Sequence, residues 1–356
     1  MLQLLLDRIR EEGAIPFEVF MEIALYHPAG GYFTGERLRS VQDGDFLTSP
    51  EVSPLFGETL AELVKREASE AGLCRPMVVD AGAGSGSLLR PLLSVLGEGA
   101  DPWAVEVSPP ARGALGELVG TQQVTESLEG LPRQIAGVIF ANELLDNLPM
   151  ALARRRVDGW RELWVTESEG ALGWVETSAR PEVEEWLGRF AGPTPEGGMV
   201  ECQLAAGRWV VAALGRLAAG ALVVFDYGDT AQGLEGRRAE GTLRTYRAHH
   251  LGPPPLADPG GNDITADLNF TAVAEAARAA GASVSVHRQH ELLDDLGLTD
   301  RLRQLRVQEA EAARAGDELR RLQTRSVRIG GETLLHPRGL GDFGVLIARR
   351  RDIDFG

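Results

Sequence analysis

Met77-Val78-Val79-Asp80-Ala81-Gly82-Ala83-Gly84-Ser85-Gly86 is the stretch whose reading decides the fold. An apolar run ends in an acid, and three alternating glycines follow. The run reads as a buried strand, and residues 87–96 read as the helix that the loop opens. Glycine permits positive φ and lets a ligand approach the backbone closely. The helix start offers free N–H groups and a favourable dipole to an anionic group. Outward from this unit, residues 103–107 form a second strand and 108–119 a second helix. A weaker strand lies near 122–125, and residues 135–142 make a third clear one. The sheet resumes at 221–226. A helix follows at 270–280, and residues 283–288 and 343–349 read as closing strands. Apolar strands alternating with helices predict an α/β fold with a parallel sheet covered on both faces.

The loop's spacing narrows the ligand. The dinucleotide fingerprint G-x-G-x-x-G requires a third glycine where Ser87 stands. The spacing D-x-G-x-G-x-G is instead that of S-adenosylmethionine enzymes. Glu106, at the end of the next strand, completes it, because a carboxylate can accept hydrogen bonds from both ribose hydroxyls. A nicotinamide dinucleotide is the weaker alternative.

Further segments flank this unit: Ile15-Pro16-Phe17, Leu25-Tyr26-His27-Pro28, Gly30-Gly31-Tyr32 and Gly44-Asp45-Phe46-Leu47-Thr48-Ser49-Pro50-Glu51 before it. After it come Glu106-Val107-Ser108-Pro109, Ala141-Asn142-Glu143 with Asp146, Asp226-Tyr227-Gly228, Gly241-Thr242-Leu243-Arg244-Thr245-Tyr246-Arg247 and Asp263-Ile264-Thr265. In this order they resemble the MidA family of S-adenosylmethionine-dependent methyltransferases across nearly the whole chain. The resemblance implies a class I, Rossmann-like seven-stranded sheet with an N-terminal helical cap and an inserted α+β substrate region. It implies S-adenosyl-L-methionine as cofactor. Because the family includes a mitochondrial arginine methyltransferase that assists respiratory complex I assembly, it also implies an arginine of a protein partner as acceptor. A small-molecule N- or O-methyltransferase and a non-catalytic assembly or binding protein are the alternatives. The expected division is a cap over 1–73, methyltransferase parts at 74–149 and 220–356, and the insertion at 150–219. In the insertion, residues 155–157, 161–165 and 171–177 read as strands and 181–190 as a helix. Two departures stand out. The loop carries Asp80, Ala83 and Ser85 where the family usually has other residues. The segment after Pro149, usually polar, is Met150-Ala151-Leu152-Ala153, which bears on substrate choice.

Roles follow for individual residues. Gly82, Ala83, Gly84 and Gly86 would cradle the methionine end of the donor, and Asp80 would receive its ammonium. Glu106 would hold the ribose, and Glu126-Ser127 would accept from the adenine amine. Thr48 and Ser49 belong to a loop that closes over the cofactor in the family, and Asn142 borders the same site. Glu143 and Asp146 are three apart, so a helical turn would put them on one face. They are the candidate catalytic pair, since two carboxylates match the planar fork of a guanidinium. Arg244, Tyr246, His249, His250, Asp226, Asp263 and Thr265 read as residues that fix loops.

Composition bounds the rest. With 356 residues, the chain fits two domains or one large domain with an insertion. It has 36 Lys+Arg against 52 Asp+Glu, a formal charge of −16. That argues against broad nucleic-acid affinity, which needs positive charge. It is compatible with a cationic substrate. No apolar run approaches the ~20 residues needed to span a bilayer. Residues 1–12 soon acquire acids and lack a cleavage site, so they read as a helix rather than a signal or transit peptide. The two cysteines, Cys74 and Cys202, build neither a disulfide framework nor a metal cage. His27, His287, His290 and His336 show no metal spacing with them, so no structural metal is expected. A reducing cytoplasm is the expected setting. Leu298, Leu302, Leu305, Ala312, Leu319 and Leu322 share one face of a long helix that Glu309 and Gly316 interrupt. A homo-oligomer is left open.

Overall fold

The computed structural model describes residues 1–35, 48–247 and 250–350. Seven strands form one sheet, in the spatial order Ser283–Arg288, Gly344–Arg350, Leu217–Asp226, Ile135–Asn142, Met77–Ala81, Asp101–Val105 and Val124–Thr125. From Leu217–Asp226 to Val124–Thr125 every pairing is parallel. Gly344–Arg350 runs antiparallel to both neighbours, so the sheet is mixed rather than wholly parallel. Apolar patterning reports burial and carries no information on strand direction.

Side chains alternate across this sheet, as the pleat requires. Val78, Phe140 and Val223 face a core that includes Leu60, Leu92 and Leu302. Val79, Ile139 and Val224 face the opposite core, with Val210, Leu214 and Val273. The helices Leu55–Glu70 and Leu89–Leu96 cover the first face. Leu204–Arg216 and Phe270–Ala279 cover the second. The expected cap over 1–73 is therefore divided, because Leu55–Glu70 belongs to the main sheet.

A second, antiparallel sheet holds Ile15–Pro16, Ala151–Arg156, Gly159–Ser168, Ala171–Ser178 and Met199–Cys202. Ile15 and Pro16 pair with Val165 and Trp164, which ties the N-terminal segment to the inserted region. Leu5, Phe17, Phe20 and Met21 pack with Met150, Leu152 and Leu163 in one core. The segment Met150-Ala151-Leu152-Ala153 is wholly buried, Met150 and Leu152 in this core and Ala151 and Ala153 against Val183, Trp186 and Phe190 on the other face. Its apolar character serves the packing of that sheet.

The long apolar helix is two helices. Leu298–Ala315 ends at Gly316, whose φ of 71° is left-handed and open to glycine at little cost. Asp317 then caps Glu318–Leu334 by accepting the N–H of Arg320 at 3.0 Å. Leu319 and Leu322 lie on this second helix and are exposed, so they do not continue the buried face of the first.

The sheet centre depends on two glycines. Gly137 has φ 153° and Gly220 has φ 114°. A Cβ on Gly137 would lie 1.9 Å from the Met77 carbonyl oxygen, and one on Gly220 would lie 1.9 Å from the Gly137 carbonyl oxygen. Backbone cannot yield there without breaking the ladder. Gly137→Ala should lower the unfolding free energy by about 3 kcal/mol, from combined strain and overpacking. Urea denaturation measures this. A change below about 0.5 kcal/mol would contradict the stated role of the glycine.

Candidate active site

A cavity of about 440 Å³ opens at the carboxyl ends of the parallel strands. Open α/β sheets bind ligands at this edge. The glycine loop forms one wall. Gly82, Gly84 and Gly86 have φ of 74°, 52° and 80°. Gly82 and Ala83 both donate their N–H to the Val105 carbonyl, at 2.9 and 3.2 Å, which holds the loop against the next strand. Nothing lies within 4 Å of a Cβ built on Gly84, so the loop leaves open space there. Gly86 does not line the cavity; a Cβ on it would meet Leu118 at 3.0 Å, so it serves helix packing. The first regular helical turn begins at Leu89, two residues later than expected.

Acids stand at the ends of four adjacent strands. Asp80 is buried, and its Oδ2 has no hydrogen-bond partner. Burial, with the Glu106 charge second, pushes it up to about 7. Glu106 accepts the N–H of Gly84 at 2.8 Å and of Ser108 at 2.7 Å. Burial raises its pKa while these N–H groups oppose the shift. Each of its oxygens keeps a lone pair for a further donor.

Glu143 follows Asn142 and has φ 50°, a sparsely populated conformation for a non-glycine residue. Such strain costs of order 1 kcal/mol and persists where surrounding structure enforces it. Here its N–H is tied to the Phe225 carbonyl at 2.8 Å. Its Oε1 accepts from the Asn142 amide at 3.3 Å and the Ser49 N–H at 3.4 Å. Loss of hydration in the cavity wall, with Asp146 second, pushes Glu143 up to about 8. The left-handed residue prevents the helical turn expected over 143–146. Glu143 and Asp146 instead reach the same cavity from an irregular turn.

Asp146 is buried. Its Oδ2 accepts from the Thr265 hydroxyl at 2.6 Å and from the Tyr227 hydroxyl, while Oδ1 has no partner. Burial raises its pKa against those two hydrogen bonds. Asp226 lies beneath and accepts the N–H groups of Leu145 at 3.1 Å and Asp146 at 3.2 Å. Burial, then Asp146 and Glu143, raises it well above the carboxylate range. Among the described residues, no ion pair reaches Asp80, Glu143, Asp146 or Asp226 within 4.0 Å. The arrangement can hold a cationic ligand.

The remaining expectations divide. Thr48 lines the cavity, and Glu51 accepts its N–H at 3.2 Å in a capping box. Ser49 does not line it; it is buried with its hydroxyl on Gln289, at 3.1 Å. Glu126 and Ser127 are also absent from the lining. The strand before them has only two residues, and Glu126 points outward to Arg112 at 3.7 Å. Val107, Ser108 and Ala111 line that end instead. Arg244 and Tyr246 line the cavity, whereas His250 is exposed on a short strand and His249 lies outside the described residues. The sequence reading assigned no site role to Phe33 or Phe343, and Tyr26 and Tyr227 entered only as parts of motifs. These aromatic residues converge on the cavity from distant segments, and no spacing signals that. Among the described residues no cluster of His, Cys, Asp or Glu is arranged to hold a metal ion, and no helix is long and apolar enough to cross a membrane.

Comparison with known proteins agrees with this geometry. A family described as "Putative S-adenosyl-L-methionine-dependent methyltransferase" matches residues 55–288. The mitochondrial protein arginine methyltransferase NDUFAF7 of Danio rerio is 29% identical over 345 residues, 85% of this chain and 77% of that protein. Its Homo sapiens counterpart is 27% identical over 347 residues, 86% of this chain and 75% of that protein. A COG1565 superfamily member from Burkholderia thailandensis, crystallised with S-adenosyl-homocysteine, superimposes with a TM-score of 0.85. It is 30% identical, and the match covers 98% of this chain and 92% of that one. The relatives' names correct the expected cytoplasmic setting, because they are mitochondrial proteins. A low cysteine count shows only that no disulfide framework is built and names no compartment. Glycine loop, strand-end acids, sheet order and family match converge: this chain belongs to the MidA-like family of S-adenosyl-L-methionine-dependent methyltransferases.

Proposed function

We propose that this methyltransferase acts on an arginine guanidinium of a protein partner. The observation that carries the reading is the carboxylate pair Glu143 and Asp146, which lines the cavity with no cation paired to either among the described residues. The arginine methyltransferase names of the curated relatives support it.

When bound, S-adenosyl-L-methionine supplies a methyl group already activated on a sulfonium. The chain then has to bind, orient and manage one proton. Gly82, Ala83 and Gly84 line the cavity, with open space at Gly84, and would receive the methionine portion, while the partnerless Asp80 oxygen suits its ammonium. Glu106, with a spare lone pair on each oxygen, takes the ribose hydroxyls. Thr48 contributes the facing wall. Glu143 and Asp146 orient the guanidinium. A bond forms from its nitrogen to the methyl carbon as the carbon–sulfur bond breaks, and the electron pair stays on sulfur. The proton lost from that nitrogen passes to Glu143, which Asn142 holds in place. Arginine does not deprotonate beforehand, since its pKa exceeds about 12. A neighbouring cation lowers a carboxyl pKa, so the acceptor itself ionises Glu143.

Three outcomes are expected. Gly84→Val should weaken S-adenosylhomocysteine binding at least about tenfold by calorimetry, from strain at positive φ and a side chain in the cradle. Parental affinity would remove the loop from the site. Purified protein and labelled donor, added together to a lysate of cells lacking the protein, should mark arginine in protein. Incorporation should rise with pH toward 8, as the unoccupied-site Glu143 becomes ionised at its pKa of about 8. Glu143→Gln should slow it about a hundredfold. Label only in small molecules, or a parental rate for Glu143→Gln, would refute the assignment. The third outcome concerns stability. A carboxyl with a folded pKa of about 8 binds more protons than the unfolded chain above its ordinary value near 4.5, so it erodes stability as pH rises between them. Glu143→Gln should therefore melt at a higher temperature than the parent at pH 8 when unliganded. A lower melting temperature would contradict the burial argument.

A further inference from the structure

Asp226, Asp263 and Thr265 read in the sequence as loop-fixing residues, and Tyr227 only as part of the motif Asp226-Tyr227-Gly228. The structure brings Tyr227 and Thr265 onto one oxygen of Asp146. Both hydroxyls donate to Oδ2, and the two hydroxyls also touch each other. Oδ1 is left without a partner in a residue that lines the cavity. We propose that Tyr227 and Thr265 are positioning residues that saturate Asp146 Oδ2 and so present Oδ1 as its single acceptor to the guanidinium. The inference rests on the role given to Asp146 above.

The support around this trio is directional. Asp226 fixes the backbone by accepting the N–H groups of Leu145 and Asp146, at 3.1 and 3.2 Å. Tyr227 is itself held between two neighbours. Phe343 meets its ring edge-on with centroids 5.6 Å apart, and the Arg244 guanidinium carbon lies 5.6 Å from its ring centroid. Arg244 is turned to Asp267, an acid that Arg237 also contacts, and so is not spent on Asp146. Thr265 is fully buried in the short strand Asp263–Thr265, which pairs with Arg244–Arg247. With Oδ2 filled by two donors, rotation of the carboxyl would cost both hydrogen bonds. A carboxylate fixed in this way offers a defined direction to an N–H donor, which is what an in-line transfer needs.

The two hydroxyls favour the ionised form of Asp146, whereas burial opposes it. The charged and titratable groups around it are Glu143 on its own turn, Asp226 and Tyr227 at the next strand end, Asp263 beside Thr265, Tyr26 from the N-terminal helix and Arg244 beyond the Tyr227 ring. Acids and phenols predominate, so removing either hydroxyl should shift Asp146 upward.

The test uses the full chain with S-adenosylhomocysteine bound. Carboxyl NMR of aspartate-labelled protein follows the titration of Asp146. Tyr227→Phe and Thr265→Val should each raise its midpoint by about half a unit or more and slow methyl incorporation into lysate protein about tenfold. Thr265→Ser should return both to parental values, which separates the hydroxyl from packing. An unmoved midpoint, or a parental rate in both hydroxyl-deleted variants, overturns the inference. Asp146→Asn distinguishes the two levels. If it keeps the parental rate, the role of Asp146 itself fails. If it is slow while Tyr227→Phe is parental, only the positioning role fails.

Discussion

Buried carboxyl groups, most of them without a paired cation among the described residues, are the constraint on which this molecule is organised. Asp80, Glu106 and Asp146 are buried and line one cavity with Glu143, and Asp226 is buried beneath Asp146. Removing an ionised carboxylate from water costs several kcal/mol after relaxation. The protein offsets part of that with backbone N–H groups: Gly84 and Ser108 on Glu106, and Leu145 and Asp146 on Asp226. The remainder appears as raised pKa values, to about 7 for Asp80 and about 8 for Glu143. A nearby cation would lower these values again. A sulfonium donor is such a cation, and a guanidinium acceptor would be a second.

The scaffold produces this concentration of charge through a simple geometric device. Met77–Ala81, Asp101–Val105, Ile135–Asn142 and Leu217–Asp226 are parallel, and each delivers an acid at or just beyond its carboxyl end. Their apolar bodies are buried on both faces, so the acids cannot retreat into solvent without tearing the sheet. Gly137 and Gly220 allow the central strands to approach closely at the opposite end. Tyr26, Tyr32 and Phe33 of the N-terminal segment line the cavity from the other side. Tyr26 links the two parts by donating its hydroxyl to the Asn147 carbonyl at 3.2 Å. Stability is traded for a site that favours bound positive charge.

Much of this could be read from the residues. The run 135–142 has a strand's length and no polar interruption, and the strand observed is Ile135–Asn142. The glycine spacing and Glu106 pointed to the right cofactor class. Other features were hidden for physical reasons. Leu204–Arg216 buries Ala206, Val210, Ala213 and Leu214 at helical spacing, but Gly207 and Gly215 within it obscure the pattern. Tertiary packing outweighs their weak propensity. Met199–Cys202 is too short to show alternation. Glu126 was placed by analogy of position, yet the two-residue strand before it ends early and turns it toward Arg112. The left-handed Glu143 follows from its tie to Phe225, a partner 82 positions away that no local pattern encodes. The hydroxyl pair on Asp146 likewise comes from two distant segments.

The claim that cavity acids await positive charge has one direct measurement. Binding of S-adenosyl-L-methionine, whose sulfonium is cationic, is compared with that of S-adenosylhomocysteine, whose sulfur is neutral. Calorimetry at pH 7 in buffers of differing ionisation enthalpy counts the protons exchanged. With Asp80 near 7 and Glu143 near 8, the sulfonium should release a substantial fraction of a proton more than its neutral counterpart, up to about one. Equal proton release for both ligands, across all buffers, would show that the acids do not respond to the donor's charge and would contradict the account.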